Sequence, residues 1–256
     1  MIGVVSMLLH GSTDLPAPTA ELSPWLDYSP TPFDEIREVY GSQKGRRLIK
    51  THTPVDGLPV VDGTHVISVL RNPLDAMRSM RRHVLNMTNP PKDDPFLASE
   101  DAVIARGLDL PFEPTKLDGV TLELLAGHLR AALDAMHRDD RRMTLVHYSD
   151  MKRDLKDVVG HVAAVIRVSA PPEFLDEVVE AASISSMRSR ADQFAPLANV
   201  KHFSSTEEFF AAGEERGHKE MSHHLRTRYQ ERLAELLSPS EARWLDRGGP
   251  GIVVRQ

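Results

Sequence analysis

"HVISVLRNPLDAMRSMRRH", residues 65 to 83, changes character at one point. Up to Leu70 it is a short apolar run rich in β-branched residues, the composition of a strand. From Asn72 it reads as a helix start: Asn72 suits the N-cap and Pro73 the first helical position. Asp75 falls in the first turn, where a carboxylate favours the helix dipole. Strand, tight turn and capped helix make half of a βαβ unit.

The same logic recurs downstream. In "MTLVHYSDMKRDLKDVVGHVAAVIRV" residues 143 to 148 predict a strand, and Asp150 or Asp154 opens a helix. Leu155, Val158, Val159, Val162 and Ile166 lie on one apolar face of that helix. Upstream, "RRLIKTHTPVDGLP" (46 to 59) supplies a further strand candidate, "RLIKT", which breaks at Pro54. Residues 1 to 10 are apolar almost all round and stop at Gly11, as a buried helix does. Further helices are expected around 97 to 106 and 120 to 137, with 86 to 95 as a loop. Strands alternating with helices give an α/β protein: a parallel sheet flanked by helices on both faces, with residues 1–256 as one domain.

Composition narrows the function. A net charge of −6 excludes a broadly basic nucleic-acid binder. The absence of cysteine excludes disulfides, thiolate nucleophiles and cysteine zinc sites, and fits a reducing cytoplasm. No run approaches the roughly 20 apolar residues that span a bilayer, so no membrane role is expected. Twelve histidines raise the question of a metal, but His223 and His224 are adjacent on a helix and share no face, and no H-E-x-x-H pattern is present; none is expected.

In an α/β sheet, ligands bind outside the carboxyl ends of the strands. Lys50 and His52 end the first candidate strand, two residues apart and so on one side. Arg71 ends the second beside a helix amino end, a favourable place for a phosphate, and Ser79 lies on the Asp75 face of that helix. Tyr148 ends the third. Each residue also has an ordinary reading: His52 as a structural histidine, Lys50 as a strand-edge charge, Arg71 as an ion-pair partner, Tyr148 as a packing residue. The cluster Arg78, Arg81, Arg82 reads as a solvated helix face or an anion contact, and Met77, Met80, Leu85 and Met87 as core.

Four segments, in order, resemble the cytosolic-type sulfotransferases that use 3′-phosphoadenosine 5′-phosphosulfate (PAPS). "LIKTHTPVDGLP" is similar to their lysine-threonine-histidine-x-proline segment, and R-N-P-x-D-x-x-x-S is intact from Arg71 to Ser79. "LVHYSDMKRDLKDVVGHVAAVI" resembles their tyrosine-acidic-aspartate segment, with Ser149 at the acidic position. "ASISSMRSR" resembles a later nucleotide-contact segment. The resemblance implies a P-loop NTPase-like fold and transfer of a sulfuryl group from PAPS to a hydroxyl or amine of a small-molecule acceptor, leaving 3′,5′-diphosphoadenosine. It implies that His52 is the general base and that Lys50 stabilises charge on the transferring group. Arg71 and Ser79 would hold the 3′-phosphate, with Tyr148, Ser183 and Gly213 also at the nucleotide.

Two departures qualify this. The family's phosphosulfate-binding strand and loop are missing ahead of residue 1, and the expectation is that Met1 is an internal start of a longer product. "FFAAGEERGHK" resembles the family's phenylalanine-phenylalanine-arginine-lysine-glycine segment, but Ala211 and Ala212 replace the two cations that help grip the 3′-phosphate, while Gly213 remains. A catalytically impaired binding module is therefore the alternative. A nucleotide kinase on the same scaffold is the other, against which stands the lack of a G-x-x-x-x-G-K-[ST] motif.

Overall fold

The computed structural model describes residues 1–27, 32–113, 119–138, 142–195, 202–210, 216–217 and 221–249. Helices α1 (Ile2–His10), α2 (Thr19–Leu22) and α3 (Phe33–Ser42) precede strand β1 (His65–Leu70) and helix α4 (Pro73–Leu85). Helices α5 (Glu100–Asp109) and α6 (Leu122–His137) lead to strand β2 (Arg142–His147), which passes into α7 (Tyr148–Arg153) and α8 (Leu155–Val165). The chain continues through α9 (Pro172–Ala181), α10 (Ile184–Ser189), α11 (Ala191–Phe194), α12 (Thr206–Phe209), α13 (His223–Leu236) and α14 (Pro239–Arg247). It forms two compact units: 1–52 with 86–89 and 154–213, and 53–85 with 90–153 and 214–256.

The second unit carries the sheet. β1 and β2 pair in parallel, His65 opposite Arg142 through Leu70 opposite His147. A parallel pair needs a long crossover, and α4, α5 and α6 lie within it. α6 packs on the pair, with Ala131 and Ala135 against Val66 and Met143. Leu70, Leu74, Met77, Leu129, Tyr229 and Leu245 belong to the unit's main core. The expected cap is present: Asn72 Oδ1 accepts from the Leu74 and Asp75 amides at 2.9 and 3.1 Å.

In the first unit, α1 packs against α8 and α9. Val158, Val159, Val162 and Ile166 are buried, as the spacing predicts. Gly11 ends α1 at φ 63°, and its amide donates to the Met7 carbonyl. Asp154, rather than Asp150, caps α8 by accepting from the Asp157 amide at 2.9 Å.

Three expectations are corrected. "RLIKT" is not a ladder strand: among the described residues its one bridge is Lys50 with Trp25, because a strand needs a neighbour along its length and here meets one only at that point. β2 stops at His147, so Tyr148 opens α7 instead of closing the strand. Leu85 is half exposed at the end of α4, outside the core to which its apolar character pointed.

Candidate functional site

The last ladder pair in the second unit, Leu70 with His147, delivers Arg71 and Tyr148 side by side. The Arg71 guanidinium carbon lies 4.4 Å from the centroid of the Tyr148 ring, a cation–π contact that holds a planar charge at the start of α4. Ser79 is half-buried two turns along that helix. The sequence-predicted Arg71 and Tyr148 are thus in contact, beside the capped amino end of α4, where the helix dipole favours an anion.

Asp75 does more than complement the dipole. Its carboxylate, 2% exposed, accepts from the Arg216 and Gly217 amides, both at 3.0 Å. Arg78 is buried as well. Its Nε donates to Glu100 at 2.8 Å, and Nη1 donates to the Gly217 carbonyl at 2.6 Å and lies 3.4 Å from Asp75. Arg216 reaches the second oxygen of Glu100 at 2.8 Å. Burial pushes the Glu100 carboxyl up, but hydrogen bonds and charge from Arg78 and Arg216 outweigh it and leave the group below its usual range. Arg78 therefore belongs to a buried ion network, contrary to its reading as a solvated face. The network holds residues 216–217, just past the "FFAAG" segment, on α4.

In the first unit, Lys50 and His52 share one aromatic platform. The Lys50 ammonium lies 3.5 Å over the centroid of the Trp25 ring, and the His52 ring meets that ring edge-on at 4.3 Å. The Leu26 amide donates to the Lys50 carbonyl at 3.0 Å, and Asp27 accepts from the His52 amide at 2.8 Å and from the Thr51 hydroxyl. Burial lowers Lys50 to about 8, opposed by the Asp27 charge. The amino end of α1 is nearby: burial, then Lys50, brings the Met1 amine down to about 6. Nothing in the sequence signals that Trp25 and Asp27 together seat Lys50 and His52.

Ser183 is an N-cap. Its Oγ accepts from the Ser186 amide at 3.2 Å and bonds the Ser186 hydroxyl at 2.9 Å, which fixes the start of α10. Gly213, Ala211 and Ala212 lie outside the described residues. Among the described residues no His, Asp and Glu group has a metal-binding arrangement, and no helix is long and apolar enough to cross a membrane. The second unit also contains a pocket of about 150 Å³ whose lining includes Phe96, Val103, Leu110, Phe112, Val120 and Leu124.

Residues 9–241 match the family described as the sulfotransferase domain. A glycolipid sulfotransferase of Mycobacterium tuberculosis is 30% identical over 281 residues, covering 97% of this chain and 84% of that protein. One from Mycobacterium bovis is 29% identical over 282 residues, with the same coverage. Among solved structures, mouse sulfotransferase SULT7A1 complexed with PAP superposes with a TM-score of 0.68 at 18% identity, covering 94% of this chain and 82% of that one. Retinol dehydratase in complex with androsterone and PAP gives 0.70 at 14% identity, over 93% and 76%.

Proposed function

We propose, from the premise that this chain belongs to the sulfotransferase family, that it transfers a sulfuryl group from PAPS to a hydroxyl or amine of a small acceptor and releases 3′,5′-diphosphoadenosine (PAP). The observation that carries the reading is Arg71, stacked on Tyr148 beside the Asn72-capped start of α4. A guanidinium fixed in plane at the positive end of a helix dipole suits a phosphate dianion, and in this reading it takes the 3′-phosphate with Ser79. The resemblance assigns nucleotide contacts to Ser183 and Gly213 as well.

The chemistry falls to Lys50 and His52. In-line transfer forms a bond from the acceptor oxygen or nitrogen to sulfur and breaks the bond from sulfur to the bridging oxygen of PAPS, which leaves with PAP. A His52 ring nitrogen takes the acceptor's proton, a role that the imidazole side chain as a class serves at neutral pH. The Lys50 ammonium offsets negative charge building on the bridging oxygen. Asp27 fixes the backbone at His52, and Trp25 limits where both side chains can lie. The lack of cysteine supports a cytoplasmic setting. Two relatives are named for glycolipids, which supports an acceptor that carries an apolar part.

Calorimetry with PAP and adenosine 5′-phosphate tests the nucleotide site. Arg71→Ala is expected to weaken PAP by about 1.5 to 3 kcal/mol per charge-assisted hydrogen bond lost and to leave adenosine 5′-phosphate nearly unchanged. Equal PAP affinity in parent and variant would reject the site, and a parent that binds no PAP would move the chain to the impaired-module reading.

A further inference from the structure

The ladder that aligns β1 and β2 ends at Leu70 and His147, one residue before the Arg71 and Tyr148 contact. Past that point β1 turns into α4 and β2 into α7, beyond the strand ladder. A third element bonds to both turns. Asn72, which follows Arg71, donates through Nδ2 to the carbonyl of Asp246 at 2.9 Å and to its carboxylate at 2.8 Å, while Oδ1 caps α4. His147, which precedes Tyr148, is fully buried. Its Nδ1 accepts from the Ser149 amide at 3.2 Å, so Nε2 carries the proton and donates to the Leu245 carbonyl at 3.1 Å.

The same turn is locked further on. Gly248, at φ 68°, lies so close to His147 that a Cβ there would sit 2.7 Å from Nδ1. The Gly249 amide donates to Asp150 at 3.0 Å, and the Trp244 indole donates to the Gly249 carbonyl at 2.9 Å. Tyr229 donates its hydroxyl to Asp246 at 3.1 Å. Burial, then the Asp246 charge, push that hydroxyl well above its usual range and keep it a donor. Arg247 approaches the other Asp246 oxygen at 3.3 Å.

We propose that the carboxyl end of α14 is a positioning device for nucleotide recognition, with Asp246 as its central residue: Asp246 holds Asn72 while the adjacent Leu245 carbonyl holds His147, and together they set the spacing of Arg71 and Tyr148. The inference rests on Arg71 as the 3′-phosphate contact. It differs from ordinary helix packing in what it predicts, because packing alone changes stability and leaves the discrimination between nucleotides alone.

The test uses the whole chain, with calorimetric Kd values for PAP and adenosine 5′-phosphate and a thermal unfolding curve for every variant. Asp246→Ala is expected to cut the preference for PAP about tenfold, the size of one lost hydrogen bond's worth of alignment, with adenosine 5′-phosphate affinity held within about twofold. Asp246→Asn keeps the acceptor for Asn72 and Tyr229 and is expected to restore the preference. Asn72→Ser keeps a capping oxygen but lacks the amide donor, so it is expected to reproduce the Asp246→Ala loss even if that variant fails to fold. Arg71→Ala separates the two ideas. If it retains the PAP preference, the 3′-phosphate reading falls. If it loses the preference while folded Asp246→Ala or Asn72→Ser keeps it, or if Asp246→Asn is as defective as Asp246→Ala, the positioning inference alone is overturned.

Discussion

Replacing Asp75 with alanine should be among the most destabilising single changes in α4. The carboxylate is 2% exposed and accepts two backbone amides at 3.0 Å. Hydrogen bonds to an ionised group contribute about 1.5 to 3 kcal/mol each, which puts the pair at about 3 to 6 kcal/mol. The 3.4 Å approach of Arg78 adds little at that length. Nor does the alanine strand Arg78, which keeps Glu100 and the Gly217 carbonyl. The amides of Arg216 and Gly217 regain water in part, so the expected cost is about 3 to 5 kcal/mol. Asp75→Asn keeps an acceptor oxygen without the charge, and neutral hydrogen bonds are about half as strong, so its cost should be about 1 to 3 kcal/mol. Urea unfolding followed by circular dichroism measures both midpoints, and an unchanged slope shows that stability alone has moved. An alanine variant within about 0.5 kcal/mol of the parent, the range of an ordinary surface change, would refute the buried clamp, as would an asparagine variant less stable than the alanine one.

His52→Ala should lower turnover by about a hundredfold or more with PAP affinity nearly unchanged; parental turnover sinks the general-base role, and lost nucleotide binding makes the residue structural. Since burial lowers Lys50 to about 8, its ammonium is present below that value and lost above it. kcat/KM should therefore fall as pH rises through about 8, and a profile level well past that point removes Lys50 from charge stabilisation. Gly248→Ala meets both a left-handed φ and the buried His147 ring. The cheaper escape is for the 248–249 turn to detach, losing the Asp150 and Trp244 hydrogen bonds, so the cost should be about 2 kcal/mol. Thermal unfolding at the parental temperature would contradict it.

What was legible in the sequence was local. Asn72, Pro73 and Asp75 mark the start of α4 because caps and dipoles act within one turn, and the α8 face shows through its spacing. The order of the matched segments was equally visible. What escaped depends on partners far along the chain. A charged Arg78 reads as solvated until Glu100 and Gly217 are seen around it. "RLIKT" has strand composition, yet whether it becomes a ladder depends on a neighbour, and Trp25 supplies one bridge. Asp246 carries no local signal at all, since Asn72 is 174 residues away.

The parallel register also bears on how the chain acquires its site. Residue 65 faces residue 142, a separation of 77 maintained along the ladder, and Arg71 stands the same distance from Tyr148. Closing a loop of that length costs about 4 kcal/mol beyond a constant, before any strand contact repays it. The α4 to α6 crossover can form from near neighbours first, and the strand pair should come together late and slowly. During synthesis, α4 would emerge with its basic residues in place but without an aromatic partner for Arg71. A nucleotide would then stabilise only chains that have already brought β2 home, and its presence during refolding should raise the yield of the finished state without speeding the first steps.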